Sequence, residues 1–123
     1  MTARHTVFIP PLYTISMELT QKVCVACEGD VPPLNKIEAE VLLKQIPGWN
    51  VSEDGKLLSR EFKFKDFAEA LAFTNKIGAI AESEGHHPDL ELGWGRVGIR
   101  LTTHAIKGLS ENDFIVAAKI SAI

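Results

Sequence analysis

The sequence predicts an α+β domain: a four-stranded antiparallel sheet with helices on one face, in the order α-β-β-α-β-β-α. Three observations lead to this prediction. Four short alternating segments come as two hairpins, a helical stretch separates the hairpins, and each helical stretch begins with a capping pattern. Because each hairpin pairs its own strands, the simplest packing is one mostly antiparallel sheet with the helices layered against one side.

The size and charge of the chain limit its class. It has 123 residues, 46% of them hydrophobic and 24% charged, which is enough for one domain to bury a core without a disulfide or a metal. The net charge is −3 and the 13 Lys and Arg are scattered, so the basic surface typical of nucleic-acid binding is lacking. No stretch approaches the roughly 18 consecutive apolar residues of a membrane span. We therefore expect a cytoplasmic protein with no nucleic-acid or membrane partner.

The chain divides into residues 1–33, predicted to be a partly flexible N-terminal arm, and residues 34–123, predicted to be the folded domain. Residues 1–16 show neither helical nor strand periodicity, so we expect the fold to tolerate their removal. Pro10 and Pro11 interrupt the apolar run in this segment. This interruption argues against a cleavable signal peptide.

Cys24 and Cys27 form a Cys-x-x-Cys pair within the arm. The pair fits either a redox site or half of a zinc site. The chain has no other cysteine, however, and no βαβ pattern surrounds the pair as a thioredoxin-type motif requires. We expect reduced, non-catalytic thiols.

The first helix and the first hairpin follow residue 34. Asn35 and Glu38 have the spacing of a capping box, which predicts a helix start. Asp54-Gly55 is a strong hairpin signal when alternating segments flank it. Apolar residues alternate on both sides of this turn, at Trp49, Val51, Leu58, Phe62 and Phe64.

The second helix, second hairpin and third helix complete the domain. Asp66 and Glu69 repeat the capping spacing, and apolar residues then recur at helical spacing as far as residue 81. Ser110 and Asp113 predict the start of the third helix. Leu90, Leu92 and Trp94 alternate on a predicted third strand, and a turn near residues 93–96 follows it. A predicted fourth strand carries the alternating residues Val97, Ile99, Leu101 and Thr103.

The junction between the second helix and the third strand carries two adjacent histidines. Gly85 is typical of the left-handed residue that ends a helix, and Pro88 disfavours a helical conformation for His87, so both imidazoles are predicted at a corner. Glu82 precedes His86 by one helical turn, where its carboxylate could accept a hydrogen bond from the ring. The alternative is a simple surface ion pair.

A third histidine, His104, follows the fourth strand, and Asp113 lies in the predicted third helix. Three histidines and two carboxylates suit general acid and base catalysis near neutral pH, because imidazole titrates there. We expect no bound metal, since adjacent histidines diverge and no His-x-x-x-His pair exists. A purely structural role remains open, with the histidines satisfying hydrogen bonds at element ends, Asp113 a cap and Trp94 a core residue.

Taken together, these residues and their spacing resemble the signature of the pterin-4a-carbinolamine dehydratases. The resemblance extends from about Leu34 to the end of the chain. It maps the histidines of the family onto His86, His87 and His104, its glutamate onto Glu82, its aspartate onto Asp113 and its aromatic residue onto Trp94.

The resemblance implies a hydro-lyase, 4a-hydroxytetrahydrobiopterin dehydratase, which converts 4a-hydroxytetrahydropterin to quinonoid dihydropterin and water. It implies no cofactor beyond the pterin substrate and a role in tetrahydrobiopterin recycling beside an aromatic amino acid hydroxylase. The implied roles are substrate binding by His87, Pro88 and Trp94, acid and base catalysis shared by His86 and His104, and support from Glu82 and Asp113.

The resemblance also implies a homodimer or homotetramer assembled through sheet edges and helices. A second function is compatible with the same fold, since some members of the family act as a dimerisation cofactor for a transcription factor. The alternative is therefore a non-enzymatic dimerisation or assembly cofactor for a protein partner.

Overall fold

The computed structural model describes residues 18–26, 29 and 31–123. The predicted order α-β-β-α-β-β-α is confirmed, and two short 3-10 helices are added, Leu19–Gln21 and His104–Ile106. The elements are α1 (Lys36–Leu43), β1 (Asn50–Val51), β2 (Leu58–Lys63), α2 (Phe67–Glu84), β3 (Asp89–Gly93), β4 (Arg96–Leu101) and α3 (Glu111–Ser121). The predictions for residues 1–16 and for Cys27 lie outside the described residues.

The helix starts use the capping residues that the sequence indicates. Asn35 accepts from the Glu38 N–H at 2.8 Å, and Glu38 accepts from the Asn35 N–H at 2.9 Å, so the predicted capping box is confirmed. Asp66 likewise accepts from the Glu69 N–H at 2.9 Å. The return bond differs from the prediction, because the Glu69 carboxylate accepts from the N–H of Lys65, one residue before the cap. Both arrangements satisfy amide groups that a helix start leaves unpaired.

The strands form one antiparallel sheet in the order β1-β2-β4-β3. Alternation along β4 buries Val97, Ile99 and Leu101 against the helices, while Arg100 is exposed on the opposite face. Arg100 is directly opposite Ser59 of β2. The sheet therefore has helices on one face and a polar open face, as the sequence predicts.

The core lies between the sheet and the helices. Residues of α3 are almost all buried, and Phe114 and Ile120 are fully enclosed. Trp49 donates a hydrogen bond from its indole N–H to the Ser121 hydroxyl at 2.7 Å, which joins the start of β1 to the end of α3. Leu19 also belongs to the core, at 1% exposure. Part of the segment that the sequence assigns to the arm therefore packs into the domain.

One detail of the second hairpin differs from the sequence prediction, and one that the sequence left open is decided. β3 ends at Gly93, so Trp94 lies in the turn, 73% exposed, and not on the strand with Leu90 and Leu92. Gly95 causes this early turn: its φ is +72°, and a Cβ there would approach the Phe64 carbonyl oxygen to 3.0 Å. β4 has ended before His104, which begins a 3-10 helix, so strand alternation does not set the direction of its ring.

Within the described part of the chain, no helix combines the length and the apolar character needed to cross a membrane.

Candidate active site

A sharp corner between α2 and β3 positions the adjacent histidines. Gly85 adopts the left-handed conformation with φ 65° and ψ 26°. The N–H groups of Gly85 and His86 both donate to the Ala81 carbonyl, which closes the end of the helix. The chain then enters β3 at Asp89. The corner separates the two imidazoles, so that each contacts a different carboxylate.

His86 pairs with Asp113. Its Nε2 lies 2.6 Å from Asp113 Oδ1, and the side chains are 13% and 0% exposed. An ionised carboxylate can only accept hydrogen bonds, so the Nε2 of His86 must carry the proton that it donates. Asp113 therefore fixes both the tautomer and the orientation of the ring.

The second carboxylate oxygen of Asp113 is also saturated. Oδ2 accepts from the Thr103 hydroxyl at 2.7 Å and from the Ser110 N–H at 3.0 Å. Because the single Thr103 proton is committed to Asp113, the Ser110 hydroxyl donates to Thr103 Oγ1 across 2.7 Å. Asp113 thus combines the helix-start role that the sequence predicts with support for the histidine. The part played by the Thr103 and Ser110 hydroxyls was not predicted, since only the capping position of Ser110 was visible in the sequence.

His87 pairs with Glu82, which corrects the prediction that Glu82 accepts a hydrogen bond from His86. The distance from His87 Nε2 to Glu82 Oε2 is 2.5 Å, and the side chains are 58% and 78% exposed. The prediction fails because the left-handed Gly85 ends the helix before His86, which is then no longer one turn above Glu82. Such an exposed pair is typical of a surface ion pair of small energetic value.

All three of the predicted histidines line one open cleft of about 330 Å³. This volume is at the lower end of the range for small-molecule sites. His104 enters from the 3-10 helix after β4, and within the described residues its ring makes no hydrogen bond to another group. The remaining walls come from Val25, Ala26, Gly85, Thr102, Thr103, Ala105 and Asn112. The cleft therefore contains one imidazole held by a buried acid and one that has no partner among the described residues.

Within a single chain, Trp94 does not line this cleft. The histidine corner precedes the first residue of β3, whereas Trp94 follows its last residue. Five residues of strand separate them by about 17 Å. Pro88 lies at the corner beside His87 and is partly buried, but it is not among the residues that line the cleft.

The segment Lys22–Ala26 and the end of α2 meet next to the cleft. Glu84 accepts hydrogen bonds from the Lys119 ammonium group and from the Cys24 N–H. The Lys119 hydrogen bond, followed by that from Cys24, lowers the pKa of the Glu84 carboxyl. Burial, and then the charge of Glu84, raises the pKa of the Cys24 thiol to about 12. Cys24 is therefore a neutral thiol at physiological pH.

Among the residues that the structure describes, no group of three or more His, Cys, Asp or Glu side chains is arranged to hold a metal ion. The site geometry offers proton donors and acceptors, and these suit acid and base chemistry.

Comparison with known protein families supports this interpretation of the fold. The family model described as pterin 4 alpha carbinolamine dehydratase matches residues 32–123. A protein of Halorhodospira halophila, provisionally named pterin-4-alpha-carbinolamine dehydratase, is 48% identical over 107 residues, which cover 87% of this chain and 98% of that protein. A protein of Saccharophagus degradans with the same provisional name is 52% identical over 104 residues, or 83% of this chain and 92% of that one.

Solved structures agree with the sequence relatives. A transcriptional coactivator/pterin dehydratase from Brucella melitensis superposes with a TM-score of 0.69 at 33% identity, covering 73% of this chain and 96% of that one. A pterin dehydratase-like protein, identified as a RuBisCO assembly factor in the alpha-carboxysome, gives a TM-score of 0.54 at 28% identity, with coverage of 61% and 87%. The family match over the whole folded domain and the identity to full-length relatives lead to one conclusion: the chain belongs to the pterin-4-alpha-carbinolamine dehydratase family.

Proposed function

We propose that the protein is a hydro-lyase, a 4a-hydroxytetrahydrobiopterin dehydratase, which converts 4a-hydroxytetrahydropterin to quinonoid dihydropterin and water. One observation carries the proposal: three histidines line a single cleft, and one of them is oriented by a fully buried aspartate. Imidazoles with different hydrogen-bond environments are suited to opposite proton transfers in one reaction.

The proposed reaction requires two proton transfers. The lone pair of the ring nitrogen beside the carbinol carbon forms a carbon–nitrogen double bond as the carbon–oxygen bond breaks. The hydroxyl group takes a proton from an acid and leaves as water, while a base removes the proton from the nitrogen. The substrate thus loses one hydroxyl group and one proton, and no electron is gained or lost. Because the substrate supplies its own electron push, we propose that no cofactor is used.

The three histidines differ in a way that suits different roles. His104 has no internal partner for its ring in the described part of the chain, so it can exchange a proton with the substrate or with water. His86 is held by Asp113, which keeps the ring in one orientation. We assign acid and base catalysis to His104 and His86, with Asp113 in support. His87, with Glu82 and Pro88 beside it, is assigned to binding and orienting the pterin.

Trp94 has no part in this proposal, because it lies at the far end of β3. The physiological role would be tetrahydrobiopterin recycling beside an aromatic amino acid hydroxylase. In that role the substrate is the product of the hydroxylase.

A coupled assay tests the proposal. A hydroxylase generates the 4a-hydroxypterin, and its decay is followed with and without the purified protein. We expect a faster decay with the protein, and a loss of that acceleration in the His86→Ala and His104→Ala variants. Asn75→Ala, an exposed change on α2, is the control that should retain it. If the 4a-hydroxypterin decays at the buffer rate in the presence of micromolar parent protein, the enzymatic assignment is refuted.

A second function has a specific observation in its favour. One structural relative is named as a transcriptional coactivator/pterin dehydratase and the other as a RuBisCO assembly factor, and these names support an assembly role as a proposal for this chain. This chain exposes apolar residues one helical turn apart on two helices, Ile37 and Val41 of α1 and Phe67 and Leu71 of α2. We therefore propose a homodimer or homotetramer, with a non-enzymatic assembly role as the alternative to catalysis.

Light scattering tests the assembly proposal directly. The parent is expected at two or four times the 13.5 kDa chain mass. Ile37→Ser and Phe67→Ser should lower the mass if these faces are interfaces, whereas Glu53→Gln, an exposed change in the first hairpin, should not. A monomer mass for the parent would contradict the assembly proposal and would leave the turnover assay unaffected.

A further inference from the structure

The segment Lys22–Ala26, which we call the strap, lies against the start of α3. The Lys22 ammonium group pairs with Glu111 in the first turn of the helix. Two residues on, the Cys24 N–H donates to Glu84 Oε1 at 2.9 Å. The strap is therefore attached to the end of α2 and to the start of α3. His86 follows the end of α2, and Asp113 lies in the first turn of α3.

Asn112 holds the next residue of the strap by its main chain. Its side-chain oxygen accepts from the Val25 N–H at 3.1 Å, and its side-chain nitrogen donates to the Val25 carbonyl at 2.5 Å. Asn112 is only 5% exposed, so both bonds form away from bulk water. The Cys24 sulfur adds a contact to the Asn112 carbonyl at 3.7 Å. Because the bonds are made to the backbone, they fix the position of the strap whatever side chain stands at residue 25.

This attachment places the strap at the cleft. Val25 and Ala26 line the same cavity as the three histidines, and Asn112 lines it as well. Asn112 directly precedes Asp113, so one turn of helix fixes both the strap and the imidazole of His86. The strap thus adds an aliphatic wall to a site whose other named groups are mainly polar.

We propose that Val25 and Ala26 of the strap form a substrate-binding wall of the active site, with Val25 contacting the pterin and Asn112 acting as the positioning residue. This inference rests on the proposed pterin function. A pterin is a flat heterocycle whose ring faces carry little polarity, and an aliphatic side chain against such a face removes apolar surface from water. The strap contributes to binding and not to proton transfer, so its loss raises KM and leaves kcat near the parental value.

The chain offers a matched pair of variants for this test. Val25 and Val23 are 68% and 69% exposed, but only Val25 lines the cleft. Val25→Ser should raise KM by roughly 10-fold with little change in kcat, which is the usual scale for one lost apolar contact in a pocket. Val23→Ser should leave both constants unchanged. If the two variants have equal KM values while the parent protein is active, the proposed wall is wrong and the proposed function still stands.

Alkylation of Cys24 reports strap attachment without any need for activity. In a Cys27→Ser background, the Cys24 thiol should react slowly with iodoacetamide, because burial and Glu84 keep it neutral. Asn112→Ala should speed alkylation at least 10-fold and should also raise KM. Asn112→Asp retains the acceptor for the Val25 N–H, so its Cys24 should be alkylated at a rate between those of the parent and Asn112→Ala. If Cys24 in Asn112→Ala is alkylated at the parental rate, Asn112 does not position the strap.

The two proposals fail in different ways. A parent that neither turns over the 4a-hydroxypterin nor binds dihydrobiopterin in a titration would refute both. If Asn112→Ala does not fold, the Val25 and Val23 pair still decides whether the strap is a wall, since both side chains are on the surface.

Discussion

His86 and Asp113 stand 27 positions apart in the chain, yet their side chains meet at 2.6 Å across the junction of α2 and α3. Asp113 is fully buried, and both of its oxygens accept hydrogen bonds. A buried carboxylate is stable only when it is satisfied in this way. The pair therefore links the position of the imidazole to the packing of α3.

Asp113→Asn should separate catalysis from folding. An amide keeps the shape of the carboxylate, but an NH₂ group facing His86 forces the ring to accept at Nε2, so its proton moves to the other nitrogen. We expect turnover to fall by roughly 10²-fold, while the fold is retained. Asp113→Ala leaves the Thr103 and Ser110 donors unpaired and should lower the free energy of unfolding by about 2–4 kcal/mol. Urea denaturation and the decay assay measure the two effects. Parental turnover in Asp113→Asn would show that the pair is structural.

His104→Ala should affect turnover and hardly affect stability. The ring makes no hydrogen bond with the described residues, so its removal should change the free energy of unfolding by less than about 0.5 kcal/mol. Loss of a general acid or base should lower kcat by roughly 10²-fold or more. Thermal unfolding and steady-state kinetics test both effects, with Asn75→Ala as the control. If His104→Ala keeps the parental rate between about pH 6 and pH 8, the imidazole does not take part.

Glu82→Gln should show the small stability effect of an exposed pair. With side chains 58% and 78% exposed, the His87–Glu82 hydrogen bond should contribute at most about 1 kcal/mol. If the pair orients His87 toward the pterin, the variant should raise KM more than it lowers kcat. His87→Ala should raise KM further. A fall in kcat at unchanged KM in both variants would argue for a role of His87 in proton transfer instead.

The Glu84 carboxyl should make the stability of the domain depend on acid pH. Its side chain is 8% exposed, and its hydrogen bonds to Lys119 and Cys24 hold its pKa below the ordinary value of 4.5. A folded-state pKa below the unfolded one means that the stabilisation is fully present above pH 4.5 and is lost as the pH falls through the folded value. Urea denaturation between about pH 3 and pH 6 should therefore show a weaker pH dependence in Glu84→Gln than in the parent. Glu53→Gln, in the exposed first hairpin, should retain the parental dependence. The same slope in all three proteins would contradict the prediction.

Much of the fold could be predicted from local patterns. Asn35 with Glu38 fixes the start of α1, and the left-handed turn at Gly55 connects β1 to β2, because both devices act within a few residues. The residue types of the site were also visible, since His86, His87 and His104 have a family-specific spacing. Capping, turn chemistry and strand alternation involve sequence neighbours, so they can be inferred without a three-dimensional structure.

The partners of the site residues depend on the tertiary structure. Helical spacing predicted Glu82 beside His86, but the left-handed Gly85 rotates the chain, so that Glu82 meets His87 and Asp113 meets His86. Alternation predicted Trp94 on the third strand, but the glycine turn ends that strand at Gly93. The strap reaches the cleft only because Asn112, 87 positions after Val25, bonds to its backbone. Such contacts are set by how separate elements pack, because the side chains that meet there belong to segments that no local pattern relates. The sequence by itself determined the elements and the chemical groups of this protein, and the packing of α2, α3 and the strap decided which groups face one another.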